Sequence, residues 1–185
     1  MMNAITKNNI PLVLIAAHST NYTIGYQGDI PWYIPQDLIR FRQLTKSYPI
    51  IMGRKTWDGL HIRPLAHRLN IVVSTTLAIV DSIQTEQNSI CIVRNLADAL
   101  TNACEFINKT TPADPKIFII GGERLYRETI DQADYLQITE VHTVTPGDAF
   151  FPNYDPNDFD LISTQQPTRN SPDSVTYSFK TYKRK

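Results

Sequence analysis

The chain has 185 residues, 42% hydrophobic and 19% charged, and its 18 basic and 18 acidic side chains cancel to a net charge of zero. This is the composition of a folded globular protein with one core, and a single domain over residues 1–185 with a loose polar extension at residues 1–10 is expected. It excludes nucleic acid or a membrane surface as the main partner, because any anion site must be local. No apolar run reaches membrane-spanning length and no signal-peptide pattern opens the chain. The cysteines, Cys91 and Cys104, lack metal-ligand spacing and read as reduced, buried thiols of a cytoplasmic protein, with no metal site.

Residues 10–18 hold an apolar run ending in Ile15, Ala16 and Ala17, whose length and branching predict a strand buried on both faces. The small alanines would let a ligand approach the backbone. His18 reads as a structural histidine with its hydrogen bonds satisfied. Residues 19–34 contain Asn21, Gly25, Gly28 and Pro31 and no helical period, the mark of a lid or binding loop. Pro35 suits a first helical position, so a helix is predicted to about Lys46, with Leu38, Phe41, Leu44 and Thr45 on one side. Asp37 falls in its first turn. It either complements the helix dipole or, behind the stiff Pro31-Trp32 entry, sits as a carboxylate among apolar groups.

Residues 50–52 form a second buried strand, ending in Gly53-Arg54-Lys55-Thr56-Trp57. That run is an anion cradle or an ordinary basic turn; it is not a Walker A loop. Residues 60–68 read as a loop holding Arg63-Pro64-Leu65 and Arg68, and residues 70–73 as a strand ending in Ser74-Thr75-Thr76. A polar connector runs to residue 88, then a strand at residues 90–93. Asn95 caps a helix whose Leu96, Ala99, Leu100, Ala103, Cys104 and Ile107 mark plain core packing. The most apolar strand, residues 116–120, leads into Gly121-Gly122, where a phosphate could reach backbone N–H groups, and a short helix over residues 123–129. The Rossmann glycine fingerprint is absent. Residues 134–142 alternate around Thr139 as a strand, Gly147-Asp148 marks a turn before Phe150-Phe151-Pro152, and residues 159–164 and 175–182 read as a terminal hairpin joined across 167–173.

The pattern is α/β, with strands ending in glycines, hydroxyls and cations, and in such open sheets the ligand lies beyond the carboxyl ends of the strands. The loops at Gly53 and Gly121 suggest one ligand with phosphates at separated points. Arg54, Lys55 and Arg124 exceed what a pyrophosphate needs, and the extra phosphate on the ribose of NADP would account for them. No nucleophile triad, metal cluster or catalytic carboxylate pair is visible. Hydride transfer suits this poverty, because the cofactor carries the chemistry.

Pro31-Trp32, Asp37-Leu38 with Phe41, Gly53-Arg54-Lys55-Thr56, Arg63-Pro64-Leu65, Arg68, Ile120-Gly121-Gly122 with Tyr126, Thr139, and Gly147-Asp148 with Phe151-Pro152 occur in one order and spacing. Over residues 11–182 this series resembles the dihydrofolate reductase family in its bacterial form. The resemblance implies a central mixed, mostly parallel β-sheet that ends in a C-terminal antiparallel hairpin and is flanked by about four helices. It also implies NADPH-dependent reduction of 7,8-dihydrofolate to 5,6,7,8-tetrahydrofolate, by hydride transfer to C6 with protonation at N5. Catalysis would fall to Asp37 with Trp32, Thr139 and Tyr126. Substrate would meet Ile15, Ala16, Asp37, Leu38, Phe41, Arg42, Leu60, Arg63, Leu65, Arg68, Ile120 and Thr139, with Arg68 taking the substrate's α-carboxylate. The cofactor would meet Ala17, Thr23, Ile24, Gly25, Gly28 and Asp29 of the lid, then Gly53, Arg54, Lys55 and Thr56, then Ser74, Thr75 and Arg94, then Gly121, Gly122, Glu123, Arg124, Leu125, Tyr126 and Glu128. A cis Gly121-Gly122 peptide, a monomer, and binding of diaminopyrimidine or pteridine antifolates are implied as well. Ile30 replaces a usual Met or Leu, Glu123 replaces a third glycine, His61-Ile62 lengthens a turn, and the segment from residue 76 to 89 is long. The competing readings are a pyrimidine reductase of riboflavin synthesis and a non-catalytic pterin- or NADP-binding protein.

Overall fold

The computed structural model describes residues 10–185 apart from 79, 85–88, 156 and 167–174. The expected loose extension up to residue 9 and the connection within the terminal hairpin therefore lie outside the described residues. In chain order the elements are strands β1 (Leu12–Ser19) and β2 (Thr23–Gly25), helix α1 (Pro35–Thr45), strand β3 (Pro49–Gly53), helix α2 (Arg54–Gly59), strands β4 (Leu69–Val73), β5 (Val80–Gln84) and β6 (Ser89–Val93), helix α3 (Leu96–Thr110), strand β7 (Ile117–Gly121), helix α4 (Glu123–Thr129), and strands β8 (Tyr135–Val141), β9 (Ala149–Phe150), β10 (Phe159–Gln165) and β11 (Tyr177–Arg184).

Nine strands form one sheet in the order β10-β11-β8-β1-β7-β3-β4-β6-β5, while β2 pairs with β9 alone. The six strands from β8 to β6 run parallel, and β5, β10 and β11 add antiparallel edges. This is the mixed, mostly parallel sheet the resemblance implied, with four helices around it. Parallel strands need crossovers, and the crossovers put helices on both faces, so the central strands are buried on both sides.

Strand periodicity sorts the core into two layers. Leu12, Leu14, Ile51, Ile71, Ile117 and Ile119 face a cluster with Ala99, Leu100, Ala103 and Ile107 of α3 and Leu125 of α4. Their neighbours Val13, Ile15, Ile50, Met52, Val72 and Phe118 face the other side, against Phe41 and Leu44 of α1, Trp57 of α2, and Leu60 and Leu65. Each large side chain fully buried this way contributes roughly 1.5–3 kcal/mol. The cap of α3 forms as its sequence implies, with Asn95 Oδ1 accepting from the Asp98 N–H at 2.8 Å.

Four local expectations are corrected. Ile10 is not part of a loose extension: it is 5% exposed and packs in the first cluster. The lid segment is not wholly irregular, because Thr23 and Gly25 pair with Phe150 and Ala149. The polar connector after Val73 carries a strand, β5, along the edge of β6. Cys91 is buried with its thiol donating to Asn102 Oδ1 at 3.4 Å, whereas Cys104 is only half-buried. The first two depend on partners distant in the chain, whereas β5 pairs with the next strand along it.

Candidate active site

The carboxyl ends of the parallel strands share one edge of the sheet, and α1, packed on one face, begins near it. Pro35 opens α1 and places Asp37 in the first turn. The Thr139 hydroxyl, near the end of β8, donates to Asp37 Oδ1 at 2.5 Å. Asp37 is half-buried, and that burial raises its pKa above the ordinary carboxylate range. The Thr139 hydrogen bond and the Arg40 guanidinium oppose the rise. Among the described residues the second oxygen meets no protein donor, and a carboxylate has acceptor capacity for two parallel N–H donors. Tyr126 of α4 is 3% exposed, and its hydroxyl donates to the Ile15 carbonyl at 2.7 Å. Burial, then the Asp37 charge, pushes its pKa far up, so the phenol is a fixed brace and no acid. Trp32 is half-buried at the entrance.

Of the residues expected as apolar walls, Phe41, Leu60 and Leu65 lie partly buried on one side of the sheet, with Ile120, expected as a backbone contact, beside the same cluster. Leu38 is instead 55% exposed on the rim. Asn70, read from the sequence only as a strand residue, supports the far wall. Its amide nitrogen donates to the Leu65 and Arg68 carbonyls at 2.9 and 3.1 Å, and its oxygen accepts from the Leu65 N–H at 2.9 Å. The loop is thereby tied to β4, and Arg68 is held inward, 7% exposed. Arg68 Nη1 donates to Thr45 Oγ1 at 2.9 Å and Nε to the Ala66 carbonyl at 3.0 Å, with the Phe41 ring 5.6 Å away. Each of these partners is neutral. Arg42 and Arg63 stay exposed, and Arg63 is engaged by Asp58 at 3.4 Å and the Trp57 carbonyl at 3.1 Å.

The two anticipated phosphate loops are not separate sites. Met52 lies opposite Gly121 across the β3–β7 pair, so the glycines converge. A Cβ on Gly53 would meet the Gly122 nitrogen at 3.6 Å, and one on Gly121, at φ +136°, would meet Thr56 Oγ1 at 2.8 Å. The Gly121-Gly122 peptide is cis, as is Arg63-Pro64. The result is one cradle of bare backbone with exposed Arg54 and Lys55 beside it. Arg54 pairs with Asp58 at 3.0 Å. Glu123 does not confront the cradle: its carboxylate accepts from the Phe150 N–H at 3.1 Å and pairs with Arg127 at 2.6 Å. Arg124 and Glu128 pair with each other at 2.7 Å on the exposed side of α4, and Leu125 is a core residue.

Next along the edge, Ser74 Oγ accepts from the N–H groups of Thr76 and Leu77 at 3.2 and 3.0 Å and shapes a turn. Arg94 donates to the Ser74 and Leu77 carbonyls at 2.7 and 2.5 Å, clamping that turn and leaving Thr75 exposed. On the lid, Gln27 (φ +53°) and Gly28 (φ +88°) make the tight turn between Tyr26 and Asp29. Asp148 holds it, accepting from the Gln27 N–H at 2.9 Å and donating its own N–H to the Gly25 carbonyl at 3.1 Å. Thr23 is fully buried, with Oγ1 donating to the Thr145 carbonyl at 2.8 Å, while Ile24 packs on the core and Ala17 and Asp29 line the approach as half-buried and exposed residues. His18 is only half satisfied: Nδ1 lies 2.8 Å from the Ser19 carbonyl, and Nε2 has no partner among the described residues. Burial keeps the ring neutral by lowering its pKa.

Asp37 stands without a second base, a nucleophile or, among the described residues, any group of side chains able to hold a metal ion. What these groups can supply is orientation and charge, and any redox equivalents would have to come with a bound cofactor. The cradle can receive one, since its backbone is open where side chains would block it. An α/β enzyme that works through a bound cofactor fits this fold and site.

Comparison with known proteins agrees and narrows it. A family model described as dihydrofolate reductase matches residues 11–184. The dihydrofolate reductase of Bacillus subtilis (strain 168) is 34% identical over 171 residues, 92% of this chain and 93% of that protein. That of Buchnera aphidicola subsp. Acyrthosiphon pisum (strain APS) is 35% identical over 167 residues, 90% and 94% of the two chains. A solved structure titled dihydrofolate reductase from Enterococcus faecalis, complexed with NADP(H) and RAB-propyl, superposes with a TM-score of 0.76 at 25% identity, covering 94% of this chain and 96% of that one. This chain belongs to the dihydrofolate reductase family. Neither competing reading finds support there.

Proposed function

We propose that this chain reduces 7,8-dihydrofolate to 5,6,7,8-tetrahydrofolate with NADPH, and that Asp37 is the group on which the reaction turns. The observation that carries the reading is the half-buried Asp37 carboxylate bonded to Thr139 beside the single glycine cradle. NADPH, when bound, would supply the hydride for C6. Asp37, oriented by Thr139, accepts from the pterin amide and 2-amino group and promotes proton delivery from water to N5. Phe41, Leu60, Leu65 and Ile120 hold the flat rings, and Ile15 and Ala16 offer backbone. Arg68 pairs fork to fork with the glutamyl α-carboxylate. Gly53 to Thr56 and Gly121-Gly122 receive the pyrophosphate. Arg54, Lys55 and Thr75 face the ribose phosphate, and Ala17 with the lid covers the nicotinamide end. The clamped turn supports Arg94 and Ser74 as positioning groups and not direct ligands. Described helices are too short or too polar to cross a membrane. The single shared sheet supports a one-domain enzyme; a monomer working in the cytoplasm belongs to the same reading, and the same pocket suits diaminopyrimidine and pteridine antifolates. Loss of reduced-nicotinamide absorbance that requires added dihydrofolate tests the whole reading; no dihydrofolate-dependent loss would end it.

Two further outcomes follow from backbone that tolerates no side chain. Gly121→Ala puts a Cβ 2.8 Å from Thr56 Oγ1 at a φ of +136°. A residue forced into such a region costs about 1–3 kcal/mol. A lower denaturation midpoint and weaker NADPH binding in a fluorescence titration are expected; unchanged affinity would remove Gly121 from the cradle. Gly147→Ala puts a Cβ 2.2 Å from Thr23 Cγ2 and 3.0 Å from the Gly25 carbonyl. Thr23 is buried and bonded, so the strand pair β2–β9 must part and the lid shifts. Misplacement of that kind costs up to about 100-fold in rate. Single-turnover hydride transfer should slow by at least about tenfold, and the clash with buried Thr23 should also lower the denaturation midpoint. A normal single-turnover rate would show that the lid tolerates the change.

A further inference from the structure

Arg40 stands on α1 three residues after Asp37 and carries no expectation from the sequence. Its Nη2 donates to Gln137 Oε1 at 2.5 Å, and its guanidinium carbon lies 4.9 Å from the Phe179 ring centroid. Gln137 Oε1 also accepts from Thr181 Oγ1 at 2.9 Å, which fixes the amide. These partners are neutral, and none of the ion pairs found among the described residues includes Arg40. Residues three apart on a helix have Cβ atoms about 5–6 Å apart, so Asp37 and Arg40 leave α1 on the same side, toward Thr139 and Gln137 of β8.

The clamp is built on the strand that holds Asp37. Gln137 precedes Thr139 by two residues on β8, so both project from the same face. Phe179 lies opposite Thr139 across the β8–β11 pair. Helix α1 therefore meets the sheet at two polar points, Asp37 on Thr139 and Arg40 on Gln137.

We propose that Arg40 is a positioning residue for the reaction: clamped by Gln137 and Phe179, it sets α1 on β8 and keeps the Asp37 carboxylate in its charged form. This rests on the reading of Asp37 given above. The groups that act on Asp37 are Arg40 on its own helix, the Thr139 hydroxyl on β8, Tyr126 on α4 and Tyr177 on β11. Burial raises the pKa of both tyrosines, leaving them neutral, so among these four the net charge comes from Arg40. It opposes the effect of burial on Asp37. A cleft of about 410 Å³ between α1 and strands β8, β10 and β11 opens Arg40 to solvent ions, so salt should weaken its influence.

The test is a carbon-13 NMR titration of the ligand-free protein with labelled aspartate carboxyls, the Asp37 signal assigned by its loss in Asp37→Asn. Arg40→Met and Arg40→Gln are expected to raise the Asp37 midpoint by roughly one pH unit at low salt. The gap should narrow at high salt, and Arg40→Lys should retain most of the wild-type value. Turnover lost in Arg40→Met should recover as pH rises above the shifted midpoint, which a merely structural defect would not allow. If Arg40→Met does not fold, Arg40→Gln reads the same charge with a side chain that can still meet Gln137. Unmoved midpoints at low salt, or Lys behaving as Met, would overturn the proposal. The titration needs no turnover, so an active Asp37→Asn enzyme would defeat the reading of Asp37 while leaving the Arg40 result separately legible.

Discussion

Asp37→Asn is expected to lower dihydrofolate turnover at neutral pH by about 100- to 1000-fold, the cost of losing a positioned proton-transfer or electrostatic group. NADPH affinity should hold, because the cradle at Gly53 and Gly121-Gly122 is separate from the carboxylate. The amide can still accept from the pterin amide, but it offers one oxygen where the carboxylate offers two, and it brings no charge. Residual turnover should climb as pH falls and solvent protonates N5 more readily. Near-normal turnover at neutral pH would remove Asp37 from the mechanism. Stability should move the other way. Burial places the Asp37 pKa above its value in the unfolded chain. Between those two values the folded protein keeps a proton that the unfolded chain has released. Stability therefore falls as pH rises through that window and is level above it. The Asn protein escapes this cost, so without ligand it should melt higher than wild type at neutral pH, and the difference should close as pH falls into the ordinary carboxylate range. Paired thermal melts at the two pH values check the sign.

Arg68→Leu is expected to raise the KM for dihydrofolate by about 30-fold or more, the lower end of what one lost partner of a buried charge pair costs, with kcat little changed. Arg68 is 7% exposed and among the described residues meets a hydroxyl, a carbonyl and an aromatic ring but no carboxylate. Burial lowers its pKa, and Arg42 adds to the effect, so an anion from outside would relieve both. A reduced pterin without the glutamyl group separates binding from scaffolding. Wild type and variant should handle that substrate alike if Arg68 reads the α-carboxylate. An equal loss on both substrates would make Arg68 a brace for the loop. Arg68→Lys should recover only part of the affinity, because the ammonium cannot form the paired bonds of the fork.

Several of these residues were visible along the chain for identifiable reasons. The strands buried on both faces appear as short apolar runs, and α4 opens at Glu123 and closes at Thr129 as the local pattern requires. The Asn95 cap is a contact over three residues and needs no fold to form. Three of the missed features need a distant partner. The strand pair β2–β9 has three and two residues, too few to show a period, and each becomes a strand only against the other. Glu123 looks like a charge set against a phosphate until the Phe150 N–H and Arg127 take its oxygens. Arg40 looks like a solvated helix residue until Gln137 and Phe179 close on it.

The order of residue types was decided by the sequence alone: apolar runs ending in glycine, hydroxyl or cation, and one acidic residue behind Pro31-Trp32. Those features arise from period, chain stiffness and local hydrogen bonds, which neighbours in the chain suffice to set. Whether a charge is compensated, whether two glycine turns make one cradle, and which arginine faces a carboxylate were decided only by the tertiary structure. Burial and Coulomb interaction depend on distance in space, and the β3–β7 register and the docking of α1 on β8 are what bring those groups within reach.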